Sequence, residues 1–360
     1  MTSAGAIQGT VVDSTGAVLP EVRVRLTSVA GASERSVSSD DTGTFRFPAL
    51  GVGEYKLRFE KPGFDTLVVE SVAVSVGQVL ARRFELRPAQ VVERLEVREQ
   101  GEALEAAATS SSVALGNELV EEAPAQNRNY LTFVLLAPGV TVSAGSNTQR
   151  SAAGQRNATA DSGFSFAGMR GRNNSLSIDG VDNRDETTGG NRVAIGLEMI
   201  QEFRISGVSV GAEFGGAAGG AVNVVTRSGV NAWHGDATFF TQNEKLNARN
   251  PEALIDRRPL FRRYQPGASV MGPARRDRTF FATAVEQESE SGEEWSEGPP
   301  EAYAAVARAL AGRAAPELTH GLFPSGSGET EFSFKLNHQV GSRHSLVARY
   351  AFSRGRISNE

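Results

Sequence analysis

Between Glu331 and Val340 the chain alternates with almost no break. Phe332, Phe334, Leu336 and Val340 fall on one side, and Glu331, Ser333, Lys335, Asn337 and Gln339 on the other. A period of two predicts a β-strand with one apolar and one polar face. Trp233–Gln242, Tyr264–Ala274, Thr279–Glu288 and Ser345–Ser353 have similar length and alternation, with Phe240 as the exception in the first. About ten residues at ~3.3 Å each, tilted ~45°, cover the roughly 25 Å apolar band of an outer membrane. The sequence has no run of about 18 apolar residues, so a membrane-spanning helix is not expected, and strands need no such run.

The connections give a second constraint. They run long (243–263), short (275–278), long (289–330) and short (341–344). Outer-membrane barrels alternate short periplasmic turns with long outer loops. Residues 231–360 therefore read as the first five or so strands of such a barrel. The acidic run Glu286, Glu288, Glu290, Glu293, Glu294 and Glu297 is expected to be a solvated outer loop, with a short surface helix after it at Tyr303–Arg313. Five strands do not close a barrel, and open edges in lipid leave backbone groups unsatisfied at several kcal/mol each. The remaining strands and an export signal are expected outside these residues.

Residues 1–88 read differently. Ile7–Asp13, Val22–Leu26, Thr44–Phe47, Glu54–Phe59, Leu67–Val69 and Ala81–Leu86 are short strand patterns separated by Gly, Asp and Pro turns. Turn signals every 8–12 residues predict an antiparallel β-sandwich. Residues 89–112 form a linker. Within it Val91–Val97 alternates as a lone strand before the small, polar tract Ala106–Ser112. Such a strand invites pairing with a foreign sheet edge, and equally fits a last sandwich strand or a tether.

Residues 113–230 mix both periods, an α+β pattern. Leu115–Glu122 and Asn127–Leu136 are read as short helices, the second stopped by Pro138-Gly139. Residues 143–165 read as a loop. Phe166–Val181 reads as strand, polar turn and strand ending at Asp179-Gly180. Leu197–Ile205 passes from helix to strand, and the glycine-rich stretch 213–229 closes the region. The chain as a whole is expected to be mainly β.

Three sets of residues carry family resemblances. Gly9–Leu26 (G-x-V-x-D-x-x-G, then Pro20), Asp40–Phe47 (D-x-x-G-x-F-x-F), Gly53–Leu57 and Pro62–Phe64 resemble the carboxypeptidase-regulatory-like sandwich of the carbohydrate-binding-like superfamily. Ala123–Val140, Met169–Val181 (M-R-G-R through I-D-G-V) and Phe214–Gly235 resemble the plug domain of TonB-dependent outer-membrane receptors. Gly267–Pro273 with Asp277–Phe281 resembles the hairpin that opens barrels of the Oar-like branch, with Met271 in place of a glycine. The resemblance implies a gated importer in the cell outer membrane. A TonB-type periplasmic energy-coupling protein would pair with Val92, Glu93, Arg94, Leu95, Glu96 and Val97. It also implies ion pairs from plug Arg170 and Arg227 to barrel glutamates. An external siderophore, glycan or peptide would bind on plug apices, for which Arg172, Asn173 and Asn174 are candidates.

Composition bounds the alternatives. A net charge of −5 over 360 residues does not suit general nucleic-acid binding, so no nucleic-acid partner is expected. With no cysteine there are no disulfides or thiolate metal sites. Gly207-Val208-Ser209-Val210-Gly211 fits a nucleophile elbow, but Ala212–Gly216 is a poor helix start, so no catalytic residue and no cofactor are expected. Asp179, Asp182 and Asp185 lack the alternate spacing of a calcium loop and read as a solvated turn. The competing reading is a surface-anchored module whose sandwich docks a glycan or partner protein. That segment has no Trp and one Tyr, Tyr55.

Overall fold

The computed structural model describes residues 4–29, 34–89, 112–116, 120, 128–143, 161–207, 215–248, 257–296, 300–311, 321–341 and 344–358. Residues 4–89 form two facing sheets. One holds β1 (Ala4–Asp13), β4 (Thr44–Gly51) and β7 (Val79–Leu86) in the order β4-β1-β7. The other holds β2 (Arg23–Ser28), β3 (Glu34–Ser38), β5 (Gly53–Glu60) and β6 (Leu67–Val74) in the order β3-β2-β5-β6. Alternate residues meet between the sheets: Ile7, Val11, Val24, Leu26, Phe45, Phe47, Leu57, Phe59, Phe84 and Leu86 form the core. Each such side chain contributes roughly 1.5–3 kcal/mol by leaving water.

The repeated D-x-x-G motif has a local cause. Asp13 Oδ1 accepts hydrogen bonds from the amides of Thr15 and Ala17, and Asp40 Oδ1 from those of Thr42 and Thr44. Each aspartate thus closes its own turn by standing in for a backbone acceptor. The sandwich departs from the expectation in two respects. β1 and β7 are parallel, and β3, whose exposed residues carry no apolar alternation, is an additional strand.

The middle region is built on a five-stranded sheet. Its strands are β8 (Ser112–Gly116), β11 (Ser175–Ile178), β12 (Val181–Asp182), β13 (Ile200–Ser206) and β14 (Ala221–Thr226), ordered β12-β11-β14-β13-β8. A separate pair, β9 (Val140–Val142) and β10 (Phe164–Phe166), lies beside it. Tyr130–Leu136 is a 3-10 helix, started by the Asn129 side chain accepting from the Leu131 amide. Tyr130, Phe133, Phe164, Phe166, Phe203, Ile205, Val222 and Val224 share one core.

Two expectations are corrected here. Leu115 lies in strand β8, because its apolar side chain completes the core beside β13, rather than in a helix. Residues 164–182 do not fold back as one strand pair. β10 pairs with β9, while β11 pairs with β12 and runs parallel to β14.

The last region is one antiparallel meander. It runs β15 (His234–Asn243), β16 (Phe261–Arg275), β17 (Thr279–Ser296), β18 (Gly321–Val340) and β19 (His344–Ser358), each strand paired to the next. Helix α1 (Pro300–Leu310) lies in the β17–β18 connection. Ladder pairing carries β16 to β19 well past their apolar cores, to 15–20 residues. The connections alternate as expected: 244–260, 276–278, 297–320 and 341–343.

One glycine joins the middle region to this sheet. A Cβ on Gly229 would lie 2.4 Å from the Phe281 carbonyl oxygen and 2.5 Å from that of Gly272, so no larger residue fits between those strands. Just after it, Asn231 Nδ2 donates to Asp277 Oδ1, and the Asp277 amide donates to Asn231 Oδ1. These bonds hold the exit of the middle region against the first short turn. Short turns and this exit therefore share one end of the sheet, as the loop alternation requires.

Candidate functional site

The meander has an inverted pattern: polar side chains are buried and apolar ones exposed. On β17, Ala282, Ala284, Glu286, Glu288 and Glu290 are buried, whereas Val285 is 46% exposed. On β18, Ser333 and Lys335 are buried, while Phe332 is exposed beside Tyr350 of β19. The buried face meets the middle region. The acidic run of β17 is therefore not a solvated loop at Glu286, Glu288 and Glu290, because the strand extends through it and turns these carboxylates inward. Glu293 does face solvent enough to pair with exposed Arg257.

Two ionic clusters join the middle region to the meander. In the first, Asp179 sits at φ 49°, directly before Gly180 at φ 78°. Its Oδ1 accepts from the Thr226 amide at 2.9 Å and lies 3.2 Å from Lys335 Nζ. Its Oδ2 accepts from Thr226 Oγ1 at 2.6 Å and lies 3.4 Å from Arg349 Nε. Lys335 Nζ also donates to the Thr226 carbonyl, and Arg349 Nη2 to that of Ile178. Asp179 is thus the anionic centre of a buried cluster, which corrects its reading as part of a solvated turn. That reading fits Asp182 and Asp185, which close local turns through the amides of Arg184 and of Thr187 and Thr188.

In the second cluster, Arg128 pairs with Glu198, and its Nε lies 3.7 Å from Glu286 Oε2. Its guanidinium stacks 4.2 Å from the centroid of Phe240, which explains the break in β15's alternation: Phe240 turns inward to cover a cation. Thr238, on the same face, donates to Glu198 Oε1, and Gln265 donates to Glu286. Apolar contact here is small, with Met199 against Met271, Ala282 and Ala284.

The residues singled out in the sequence fall into three groups. Val92, Glu93, Arg94, Leu95, Glu96, Val97 and Ser209 lie outside the described residues. Arg170 is exposed and among the described residues has no ion-pair partner. Arg227 is half-buried, and its Nε donates to the Ile200 carbonyl. Ion pairs from the middle region to the meander are made by Arg128 and, with reversed polarity, by Asp179.

Arg170 and Arg172 line a groove of about 620 Å³ with Thr141, Ser143, Asp161 and Met169. Arg172 also donates to the Thr187 carbonyl. Asn174 is fully buried, which corrects its assignment to a ligand surface. Its Nδ2 donates to Ser162 Oγ and the Phe164 carbonyl, and its Oδ1 accepts from the Gly220 amide. The Asn173 carbonyl accepts from the amides of Ala218 and Gly219. In the sandwich, Tyr55 is buried with its hydroxyl donated to the Gly51 carbonyl, so it offers no face for a sugar to stack on.

Residues 6–87 match the carboxypeptidase regulatory-like domain, and residues 225–300 match an outer membrane beta barrel domain. The TonB-dependent transporter Oar of Myxococcus xanthus is 27% identical over 290 residues, covering 76% of this chain and 26% of that protein. Among solved structures, the siderophore receptor PirA from Acinetobacter baumannii aligns with TM-score 0.47 and 20% identity, covering 68% of this chain and 32% of that one. A variant of the ferric enterobactin receptor PfeA from Pseudomonas aeruginosa aligns with TM-score 0.45 and 16% identity, covering 69% and 34%. The chain spans about a quarter of the curated relative and about a third of these structures.

Proposed function

We propose that this chain, a homologue of a TonB-dependent transporter with a carboxypeptidase regulatory-like domain ahead of its outer-membrane barrel strands, imports an externally bound ligand by energised movement of its plug. The plug in this reading is residues 113–230, the barrel strands are residues 231–360, and residues 1–88 are the sandwich. The relative is a transporter rather than an enzyme.

The observation that carries the reading is the character of the plug–barrel contact. Among the described residues it includes two ionic clusters, Asp179–Lys335–Arg349 and Arg128–Glu198–Glu286, beside a small apolar contact of Met199 with Met271, Ala282 and Ala284. Buried charges of this kind fix one register strongly yet contribute little net stability against solvated alternatives. That combination suits a plug that is seated in one place and is still displaceable. A TonB-type partner pairing with residues 92–97 would supply the displacement by strand addition. The ligand would be a siderophore, glycan or peptide, bound at the groove of Arg170 and Arg172.

The test is to lock the plug. The Ala194 amide lies 3.3 Å from Ser353 Oγ of β19, so Ala194→Cys with Ser353→Cys places two thiols across the contact. The natural sequence has no cysteine to interfere. Energy-dependent uptake of a panel of ferric siderophores, oligosaccharides and peptides is expected to stop in the oxidised variant and return on reduction. Equal uptake in both states contradicts plug movement.

A further inference from the structure

The sandwich is joined to the plug by more than the linker. Its turn Ser75-Val76-Gly77-Gln78 is closed internally: the Gln78 amide donates to the Ser75 carbonyl, and Gln78 Oε1 accepts from the Ser75 amide. That closure leaves the Val76 N–H and C=O free to face outward. Both are taken by one plug strand. The Val76 amide donates to Glu202 Oε1 at 3.0 Å, and the Val76 carbonyl accepts from Arg204 Nη1 at 2.6 Å.

Glu202 and Arg204 share one face of β13, while Phe203 and Ile205 point the other way into the plug core. The polar face is not open to solvent: Glu202 is 6% and Arg204 9% exposed, and Val76 is fully buried. Gly77 has φ 63°, and a Cβ there would lie 3.4 Å from Arg204 Nη1, so the turn passes directly over the guanidinium. The same guanidinium donates through Nη2 to Ser112 Oγ at 2.9 Å, on the first residue of β8, where the linker enters the plug.

We propose that the Val76 turn is a docking clasp that fastens the sandwich to plug strand β13, so that sandwich and plug form one body. A partner drawing on the linker loads the Ser112–Arg204–Val76 junction before it loads any other part of the plug sheet. The clasp itself concerns docking alone and does not depend on what the protein transports.

The test uses the full chain in detergent with spin labels at Ser38→Cys on the sandwich and Val181→Cys on the plug. The docked form gives one narrow distance distribution. Arg204→Ala and, from the sandwich side, Gly77→Val are each expected to broaden it at least threefold. Glu202→Ala serves the same purpose if either of those lowers the folded fraction seen in the thermal melt. A broad distribution in the otherwise unaltered chain overturns the proposal. So does a narrow one that folded Arg204→Ala and Gly77→Val proteins retain.

Discussion

Asp179 of the plug and Lys335 of β18 are 156 residues apart in sequence and 3.2 Å apart in space, and neither is more than about a tenth exposed at its side chain. The pair is oriented by groups on both sides. Thr226 gives Asp179 two donors and gives Lys335 a carbonyl, so both charges are hydrogen-bonded as well as paired. Removing one partner of such a pair leaves the other charge stranded away from water, which costs about 3–5 kcal/mol. Asp179→Asn is therefore expected to unseat the plug, and limited proteolysis of residues 161–226 reports it. Replacing Asp179 with Asn and Lys335 with Met together is expected to recover part of that loss, because the buried ammonium is gone and only Arg349 is left without the Asp179 charge.

Buried Asn174 and exposed Arg170 make a paired prediction. Asn174→Ala removes three hydrogen bonds inside the plug and leaves buried groups of Ser162, Phe164 and Gly220 to find other partners, at about 1–3 kcal/mol each where they fail. Its effect is on folding, seen as a lower melting temperature. Arg170→Ala is expected to leave the melt unchanged and to weaken ligand binding at the groove. A stable Asn174→Ala protein would contradict the structural role.

Core and outward-facing aromatics should differ sharply. Phe203 is fully buried among Tyr130 and Phe133. Phe203→Ala is expected to cost about 3–5 kcal/mol, whereas Phe332→Ala, on the exposed face, costs far less in detergent. Denaturant unfolding of the two variants decides.

The clasp has a pH signature. Burial pushes Glu202 above the usual carboxylate range, partly opposed by the Val76 amide and by Arg204. The folded state therefore holds its proton more tightly than the unfolded chain does. This contribution to stability is complete below the ordinary carboxylate range and is lost as pH rises through the raised value. Melting temperature measured against pH should show a larger fall in the natural sequence than in Glu202→Gln.

Much of this architecture was legible in the sequence because it rests on local chemistry. Asp13 and Asp40 announce their turns, and the alternation around Phe332–Leu336 announces strands with one lipid-like face. The five strands, their order and the long–short connections follow from period two and chain length. The ionic site was legible only in outline. Asp179 stands in a recognisable Asp-Gly turn, but nothing near it in sequence reveals Lys335 or Arg349. The β17 glutamates looked like a loop, since charge suggests solvent when strands are assumed to hide apolar faces. A barrel lumen reverses that rule. Phe240 was the visible clue: an aromatic on the polar face of β15 needs a partner there, and Arg128 is that partner. Within Leu115–Glu122 the apolar residues are too few to distinguish a buried strand at Leu115 from a helix turn.

The open edges of the meander give a further expectation. Among the described residues β15 and β19 each pair on one side only. Exposed edges beside apolar faces favour association. The chain of residues 1–360 is expected to need detergent, whereas residues 1–230 should be markedly more soluble under the same expression conditions. Equal, high solubility with a compact monomer would mean that the strands close on themselves.

The central claim is that β15–β19 turn their apolar face to lipid and their charged face to the plug. Single cysteines placed in turn at Phe332, Ser333, Phe334, Lys335 and Leu336 of β18, each carrying a fluorophore in lipid vesicles, test it through quenching by brominated acyl chains. The account predicts strong quenching at 332, 334 and 336 and little at 333 and 335. Uniform quenching along the strand, or none at any position, would contradict it.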